Sequence, residues 1–306
     1  MVFCGLERNL GFDSIEECFE DLTPYISAVE TGLSTNAPMN GMCSFLDKYT
    51  LLSNSDAHSP EKLGRNANIM DCDLSYNGII DSMKNGDNFV GTIDMYPQEG
   101  KYHYDGHRKC GVCYNPVETM ENNGICTKCG RKITVGVMNR IVQLSDRANL
   151  QERPNRKPFH SIIPLKEILS EITGVSPSTK TVARKYNEIL TNLGSELDIL
   201  LNKPIDEIEK NAGNVLAEAI DRMRNNKVHV KEGFDGEFGV IKVFSEGELL
   251  QNKNEPKLFP EKVKKEIDHY KSQNLLNFSL ERFHELFRNN PNVDFTKEKK
   301  FPNQIK

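Results

Sequence analysis

The chain has 306 residues, with 39 Lys and Arg against 44 Asp and Glu and a formal net charge of −5. At 37% hydrophobic and 27% charged, it reads as about two globular domains, and its acidic balance argues against a globally basic nucleic-acid binder while leaving room for local basic patches. No apolar run reaches the length of a membrane span, and Met1-Val2-Phe3-Cys4-Gly5 lacks the basic and apolar regions of a signal peptide, so a cytoplasmic protein is expected.

Residues 14–22 carry apolar side chains at Ile15, Cys18, Phe19 and Leu22, a helical spacing. Ser14 and Glu17 form a predicted capping box. A strand is predicted over 25–30, ending at Glu30-Thr31-Gly32. A second, over 49–53, runs into Asp56-Ala57-His58, and Ser59-Pro60-Glu61 can open a helix with Ser59 as N-cap. On an extended chain residues two apart share a face, so Asp56 and His58 would point together into the space beyond the strand's C-terminal end. That is where α/β sheets place their chemistry. A carboxylate beside an imidazole suits Zn, Mn or Fe; a surface turn with a capping Asp and a solvated His fits the same string. A short helix over 75–84 and a strand over 89–96 continue the β-α alternation of an α/β fold.

In Tyr102-His103-Tyr104-Asp105-Gly106-His107 the alternation puts His103, Asp105 and His107 on one strand face, whether it meets substrate or simply solvent. Two CxxC pairs follow, Cys110/Cys113 and Cys126/Cys129, separated by 12 residues. This is the signature of a zinc ribbon with four thiolate ligands, and Gly111, Gly124 and Gly130 suit its turns. A site closed by four thiolates is structural, because no coordination position stays open. Cys4, Cys18, Cys43 and Cys72 lack such spacing and read as small buried apolar residues. Residues 147–159, charged and holding Pro154 and Pro158, read as a linker. Helices are predicted through 164–226, with Pro164 and Pro204 at first-turn positions. The stretch 204–224, interrupted by Gly213, faintly resembles a helix-hairpin-helix, although a plain helical pair is the simpler reading. A strand is predicted at 238–244, then a charged tail with a docking helix over 278–287 and a mobile end over 297–306.

Four strings together carry a family resemblance. They are Phe45-Leu46-Asp47-Lys48-Tyr49 leading into 53–65, Ala28-Val29-Glu30-Thr31-Gly32-Leu33-Ser34, Gly100-Lys101-Tyr102-His103-Tyr104-Asp105-Gly106-His107-Arg108-Lys109-Cys110, and Phe234-Asp235-Gly236-Glu237-Phe238-Gly239. The first looks like the last metal motif of a PHP (polymerase and histidinol phosphatase) domain, and the set resembles the endonuclease Q family of DNA-repair nucleases over about 5–244. The resemblance implies an α/β fold: the C-terminal part of a PHP-type barrel (1–100), a zinc ribbon (101–147), a linker (148–160), a mainly helical DNA-contacting domain (161–244) and the charged tail (245–306). It implies cleavage of the DNA backbone 5′ of deaminated bases (uracil, hypoxanthine, xanthine) or abasic sites. Asp56 and His58 would be catalytic ligands of a divalent metal (Zn, Mn or Mg). Cys110, Cys113, Cys126 and Cys129 would hold a structural zinc. Glu30, Arg65, His103, His107 and Arg108 are candidates for lining the site or contacting DNA.

One departure matters. The family's metal centre begins with a His-x-His, and no His precedes His58 here. The expectation is that the chain lacks the first barrel strands and most metal ligands. It would then be a catalytically incomplete DNA-binding or interaction fragment, unless a separate chain supplies those strands. A phosphoesterase acting on a small ester suits the ribbon and the helical region less well.

Overall fold

The computed structural model describes residues 12–148, 157–250, 257–258, 276–290 and 293. Cys4, most of the expected linker and the 297–306 end lie outside these. Ser14 caps α1 (Ile15–Phe19) by accepting from the Glu17 amide at 3.0 Å, while Glu17 accepts from the Asp13 amide at 2.9 Å, one residue before the predicted box partner. The helix stops short of Leu22, because Glu20 turns to φ +45° and the next stretch, containing Pro24, is a 3-10 helix. The first strand is therefore shorter than predicted: β1 (Ala28–Glu30).

After α2 (Ala37–Asn40), capped by Asn36, β2 (Thr50–Leu52) pairs parallel with β1, Ala28 opposite Thr50 and Glu30 opposite Leu52. Only a 3-10 turn, Pro60–Lys62, follows where Ser59-Pro60 was expected to open a helix, and Ser59 makes no side-chain cap. Next come β3 (Ala67–Met70), α3 (Tyr76–Asn85) between its Ser75 cap and left-handed Gly86, and β4 (Phe89–Met95), antiparallel to β3. Ser53 joins the two sheets, as its hydroxyl contacts the Ile93 carbonyl at 2.9 Å and the Asp94 carboxyl at 2.8 Å. Burial pushes the Asp94 carboxyl above its ordinary range despite hydrogen bonds from Thr92 and Ser53.

The hairpin of β5 (Asp105–His107) and β6 (Val112–Tyr114) precedes α4 (Pro116–Glu121) and α5 (Val137–Leu144). Then β7 (Phe159–Ile162) returns to pair parallel with β4, Thr92 opposite Phe159. This corrects the linker reading at its C-terminal end, since residues that look like connection from their prolines complete a sheet.

Five helices follow where apolar spacing predicts them: α6 (Leu165–Thr173), α7 (Lys180–Leu193), α8 (Glu196–Leu201), α9 (Ile205–Ala212) and α10 (Asn214–Arg224). Pro164 and Pro204 sit at the N-cap, one residue before the expected first-turn position. The hairpin of β8 (His229–Lys231) and β9 (Val240–Lys242) is shorter than the predicted strand. It is followed by the small pair β10 (Leu249–Leu250) and β11 (Lys257–Leu258).

The largest core joins Ile93 and Tyr96 of the sheet region and Ile162 of β7 to Ile168, Leu200, Ile208 and Ile220 of the helices. The sheet and the helical region thus share one interior. Arg222, at 6% exposure, spans it, donating to Glu218 at 2.7 Å and Glu248 at 2.6 Å, and the start of the expected tail is pinned in place. The docking helix is α11 (Leu280–Asn289), whose Leu280 and Phe283 pack with Met120, Val137 and Ile141 of α4 and α5. The chain is a mixed α/β fold. Among the described residues each sheet has two or three strands and none closes into a barrel.

Candidate metal centre

The β5–β6 hairpin and a second turn at 126–130 bring four side chains together. The ligand atoms of His107, Cys110, Cys126 and Cys129 all lie within 4.8 Å of one another, and no other group of three or more His, Cys, Asp or Glu among the described residues is so arranged. The His107 Nδ1 and the Cys129 sulfur are 3.2 Å apart. Each turn closes on a left-handed glycine, Gly111 at φ +60° and Gly130 at φ +70°. In the second, the Gly130 amide donates to the Cys126 carbonyl at 2.8 Å and the Cys126 amide to the Arg131 carbonyl at 2.8 Å. Three thiols and an imidazole are a common tetrahedral zinc set, whose sulfur–sulfur edges of about 3.8 Å follow from Zn–S bonds of ~2.3 Å. The donor set and its spacing fit that ion.

Cys113 was expected to be the fourth ligand, and the structure places His107 there instead. The reason is strand alternation. His107 stands opposite Val112 across the hairpin, so the two share a face, and Val112 packs into the small apolar core with Cys126 and Ile133. Cys113 is one residue further along β6, points the other way and is exposed. The spacing His107-x-x-Cys110 matches the knuckle spacing of Cys110-x-x-Cys113, and was the signal available for the missed ligand. Within the cluster, burial would raise the Cys126 thiol, but hydrogen bonds from His107 and from the Lys128 and Cys129 amides bring it down to about 6.

Asp105 anchors this unit to the helices. It is fully buried and accepts from Thr119 Oγ1, the Gly136 amide and Asn139 Nδ2, each at 2.6 Å. Burial outweighs these bonds and raises its carboxyl to about 6. His103 was expected beside Asp105 and His107 on one strand face, but the strand begins only at Asp105. His103 is 2% exposed and stacks on Tyr104 with ring centroids 5.1 Å apart. Burial depresses its imidazole to about 3, so the ring is neutral. His103 is thus shut off from solvent in this structure, while His107 lies with the three thiols. Arg108 is exposed, with its amide donating to Asp235 at 2.8 Å.

The other candidates lie around the parallel β1–β2 pair. Asp56 and His58 are both exposed in the segment after β2, not on an extended strand, because Asp56 has φ +45°. His58 Nδ1 lies 2.8 Å from the Asp56 carbonyl oxygen. A carbonyl only accepts, so Nδ1 carries the hydrogen and Nε2 is the ring atom left to face a metal. Glu30, half-buried, ends β1 opposite Leu52. Arg65 is half-buried, with a buried Nε that has no hydrogen-bond partner among the described residues. Its charge reaches Glu99, whose carboxyl burial nevertheless raises to about 7.

Comparison with known proteins bears on both regions. The family model described as the MJ0043 C-terminal domain matches residues 164–227, the helical region. The chain is 34% identical over 238 residues to the uncharacterized protein MJ0043 of Methanocaldococcus jannaschii, covering 75% of this chain and 30% of that protein. It is 29% identical over 233 residues to the uncharacterized protein YqxK of Bacillus subtilis, covering 75% and 55%. Its fold is similar to the lesion-specific endonuclease PfuEndoQ of Pyrococcus furiosus, with a TM-score of 0.70 at 30% identity over 77% of this chain and 59% of that one. It is also similar to an endonuclease Q in complex with a 27-mer duplex carrying an abasic lesion at the active site, with a TM-score of 0.66 at 31% identity over 77% and 60%. The chain spans less than two thirds of each of these proteins.

Proposed function

We infer this protein's function from its kinship with the endonuclease Q family, to which its sequence and fold relate it. The proposed activity is metal-dependent hydrolysis of the DNA backbone on the 5′ side of deaminated bases (uracil, hypoxanthine, xanthine) or of abasic sites. The observation that carries this reading is the likeness to an endonuclease Q bound to a duplex with an abasic lesion, at 31% identity.

In this reading Asp56 and His58, adjacent and exposed at the C-terminal end of the β1–β2 pair, hold a divalent metal (Zn, Mn or Mg) through a carboxylate oxygen and Nε2. Such an ion supplies a hydroxide nucleophile at neutral pH and neutralises charge building on the phosphate. Glu30, ending the neighbouring strand β1, would line the site beside them. Arg65 and Arg108 contact phosphate, where a guanidinium binds two oxygens at once. The His107-Cys110-Cys126-Cys129 set holds a zinc that shapes the ribbon and leaves no coordination position for chemistry.

A second reading is favoured by one specific observation. Among the described residues Glu30, Asp56 and His58 do not form a three-ligand group, and two ligands hold a metal weakly; in this second reading the chain binds lesion DNA without cutting it. Incubating the purified protein with Mn2+ and a duplex carrying one deoxyuridine decides between them. Cleavage 5′ of the lesion, abolished by Asp56→Ala, supports the nuclease. Binding without cleavage supports the second reading. Neither binding nor cleavage refutes both.

A further inference from the structure

The Phe234-Asp235-Gly236-Glu237-Phe238-Gly239 string connects β8 to β9, and its two phenylalanines have opposite fates. Phe234 is 5% exposed and lies against Gly106 of β5, where an added Cβ would come within 2.5 Å of the phenylalanine ring. Phe238, four residues on, is 64% exposed. Single exposed apolar side chains are ordinary on protein surfaces, and Leu74 at 98% or Tyr25 at 84% need no special account. What distinguishes Phe238 is how it is mounted.

The loop is clamped by backbone hydrogen bonds to residues 98–104. The Gly233 amide donates to the Gln98 carbonyl at 2.9 Å, the Gly236 amide to Lys101 at 2.9 Å, and the Gly239 amide to Glu99 at 3.0 Å; Tyr104 donates back to Gly233 at 3.0 Å. The two segments approach so closely that a Cβ on Gly239 would lie 2.0 Å from the Gln98 oxygen and one on Gly233 2.3 Å from the Gly100 oxygen. Asp235 ties the same loop to the ribbon, accepting from the Arg108 amide and from the Thr134 hydroxyl. Across Phe238 sits the exposed Lys101 ammonium, 4.4 Å from the ring centroid. The nearby Glu237 carboxylate is engaged by Lys231 at 3.5 Å. An apolar ring with one face under a cation and the rest open to solvent, on a loop that loses little entropy on binding, has the properties of a base-stacking platform.

We propose that Phe238, with Lys101 behind it, stacks on an unpaired nucleobase of the lesion-bearing duplex, the base left without a partner opposite an abasic site being the simplest occupant. This rests on the reading of the chain as a lesion-DNA-binding relative of endonuclease Q. It assigns Phe238 to recognition of the unstacked state and Lys101 to the adjoining phosphate. Intact duplex offers no free base face, so the contact discriminates damaged from undamaged DNA.

The chain contains no tryptophan, so Phe238→Trp installs a sole fluorescent reporter at the platform. The probes are a duplex with a single abasic site and its undamaged counterpart. Adding the abasic duplex should quench the tryptophan emission, and the undamaged duplex should leave it nearly unchanged. Phe238→Ala should weaken binding of the abasic duplex by about 5- to 150-fold, the range for one base–aromatic stack. It should weaken the undamaged duplex by less than about twofold and leave the salt dependence of binding unaltered, because stacking releases no counterions. Lys101→Ala should lower that salt dependence. If the unaltered protein binds the abasic duplex, while Phe238→Ala binds it equally well and the Phe238→Trp emission stays constant, the platform is overturned and the nuclease reading survives. If the unaltered protein binds neither duplex, both fall. The side chain is exposed, so both variants should keep the far-ultraviolet circular dichroism of the parent.

Discussion

Replacing Cys113 by Ser should leave the ribbon's metal in place, whereas replacing His107 by Ala should release it. The four-cysteine pattern of the sequence implies the reverse, which makes the pair of variants decisive. His107 Nδ1 lies 3.2 Å from the Cys129 sulfur inside a group whose ligand atoms are all within 4.8 Å, and Cys113 is exposed on the opposite face of β6. Structural zinc sites with four ligands contribute roughly 10–16 kcal/mol at neutral pH. One ligand in four is then about 2.5–4 kcal/mol, or ~100- to 1000-fold in metal affinity. The local apolar core cannot compensate, because it consists of Val112, Cys126 and Ile133 with Cys110 and Tyr114 partly buried against it. The assay is competition of the purified proteins against a zinc chelator of known affinity, with metal content measured after gel filtration. Cys113→Ser should retain about one zinc with near-parental affinity. Release of zinc by Cys113→Ser and retention by His107→Ala would refute the assignment and restore the four-thiolate site.

Other consequences can be checked alongside. His103 is buried with its imidazole held near 3, well below the roughly 6.5 of an unfolded chain. Its depressed folded value makes its contribution complete above about pH 6.5 and lost as pH falls from there toward 3. The loss is about 1.4 kcal/mol per pH unit, or ~2 kcal/mol by pH 5. Urea denaturation at pH 7.5 and pH 5 isolates it as the difference between the parent and His103→Phe, because the raised carboxyls of Asp105 and Glu99 shift both proteins alike in the opposite direction; the same pH dependence in parent and variant would contradict the burial argument. Glu248→Ala should destabilise the protein by about 1–3 kcal/mol, because it removes the buried 2.6 Å partner of Arg222, a 6%-exposed guanidinium, while Glu218 keeps its charge paired at 2.7 Å. A cost under about 1 kcal/mol in thermal unfolding would mean that the pair is not the buried interaction described. Asp56→Ala, at an exposed loop position, should abolish Mn2+-dependent cleavage while leaving the unfolding midpoint within a degree or two. A large loss of stability would point to a structural role instead.

Much of the fold was legible because its signals are local. Ser14 caps α1 through a hydrogen bond that spans three residues, and such signals depend only on neighbours in sequence. The apolar stripes of α6, α7 and α10 likewise bury Ile168, Val182 and Ile220. Glycines in the left-handed region mark both turns of the His/Cys cluster. Where the reading failed, the deciding partner was distant. Phe159 and His160 look like the end of a proline-marked linker until β4, more than 60 residues earlier, supplies the hydrogen bonds that make 159–162 a strand. Asp56 and His58 look like one extended face until the positive φ at Asp56 turns the chain. His103 looks like a surface ligand until the packing around Tyr104 buries it.

The amino-acid sequence alone determined that this protein carries two CxxC pairs, a helical region from 164 onward and an Asp-x-His after a strand. Each of these depends on residue type and short-range spacing. Tertiary structure alone decided which side chains meet. The register of β5 against β6 sets His107 opposite Val112 and so turns Cys113 outward, and the clamp between 98–104 and 233–239 buries Phe234 while leaving Phe238 exposed. A strand shows opposite faces at successive residues, and which face meets the core is settled by the partner strand rather than by the strand's own sequence.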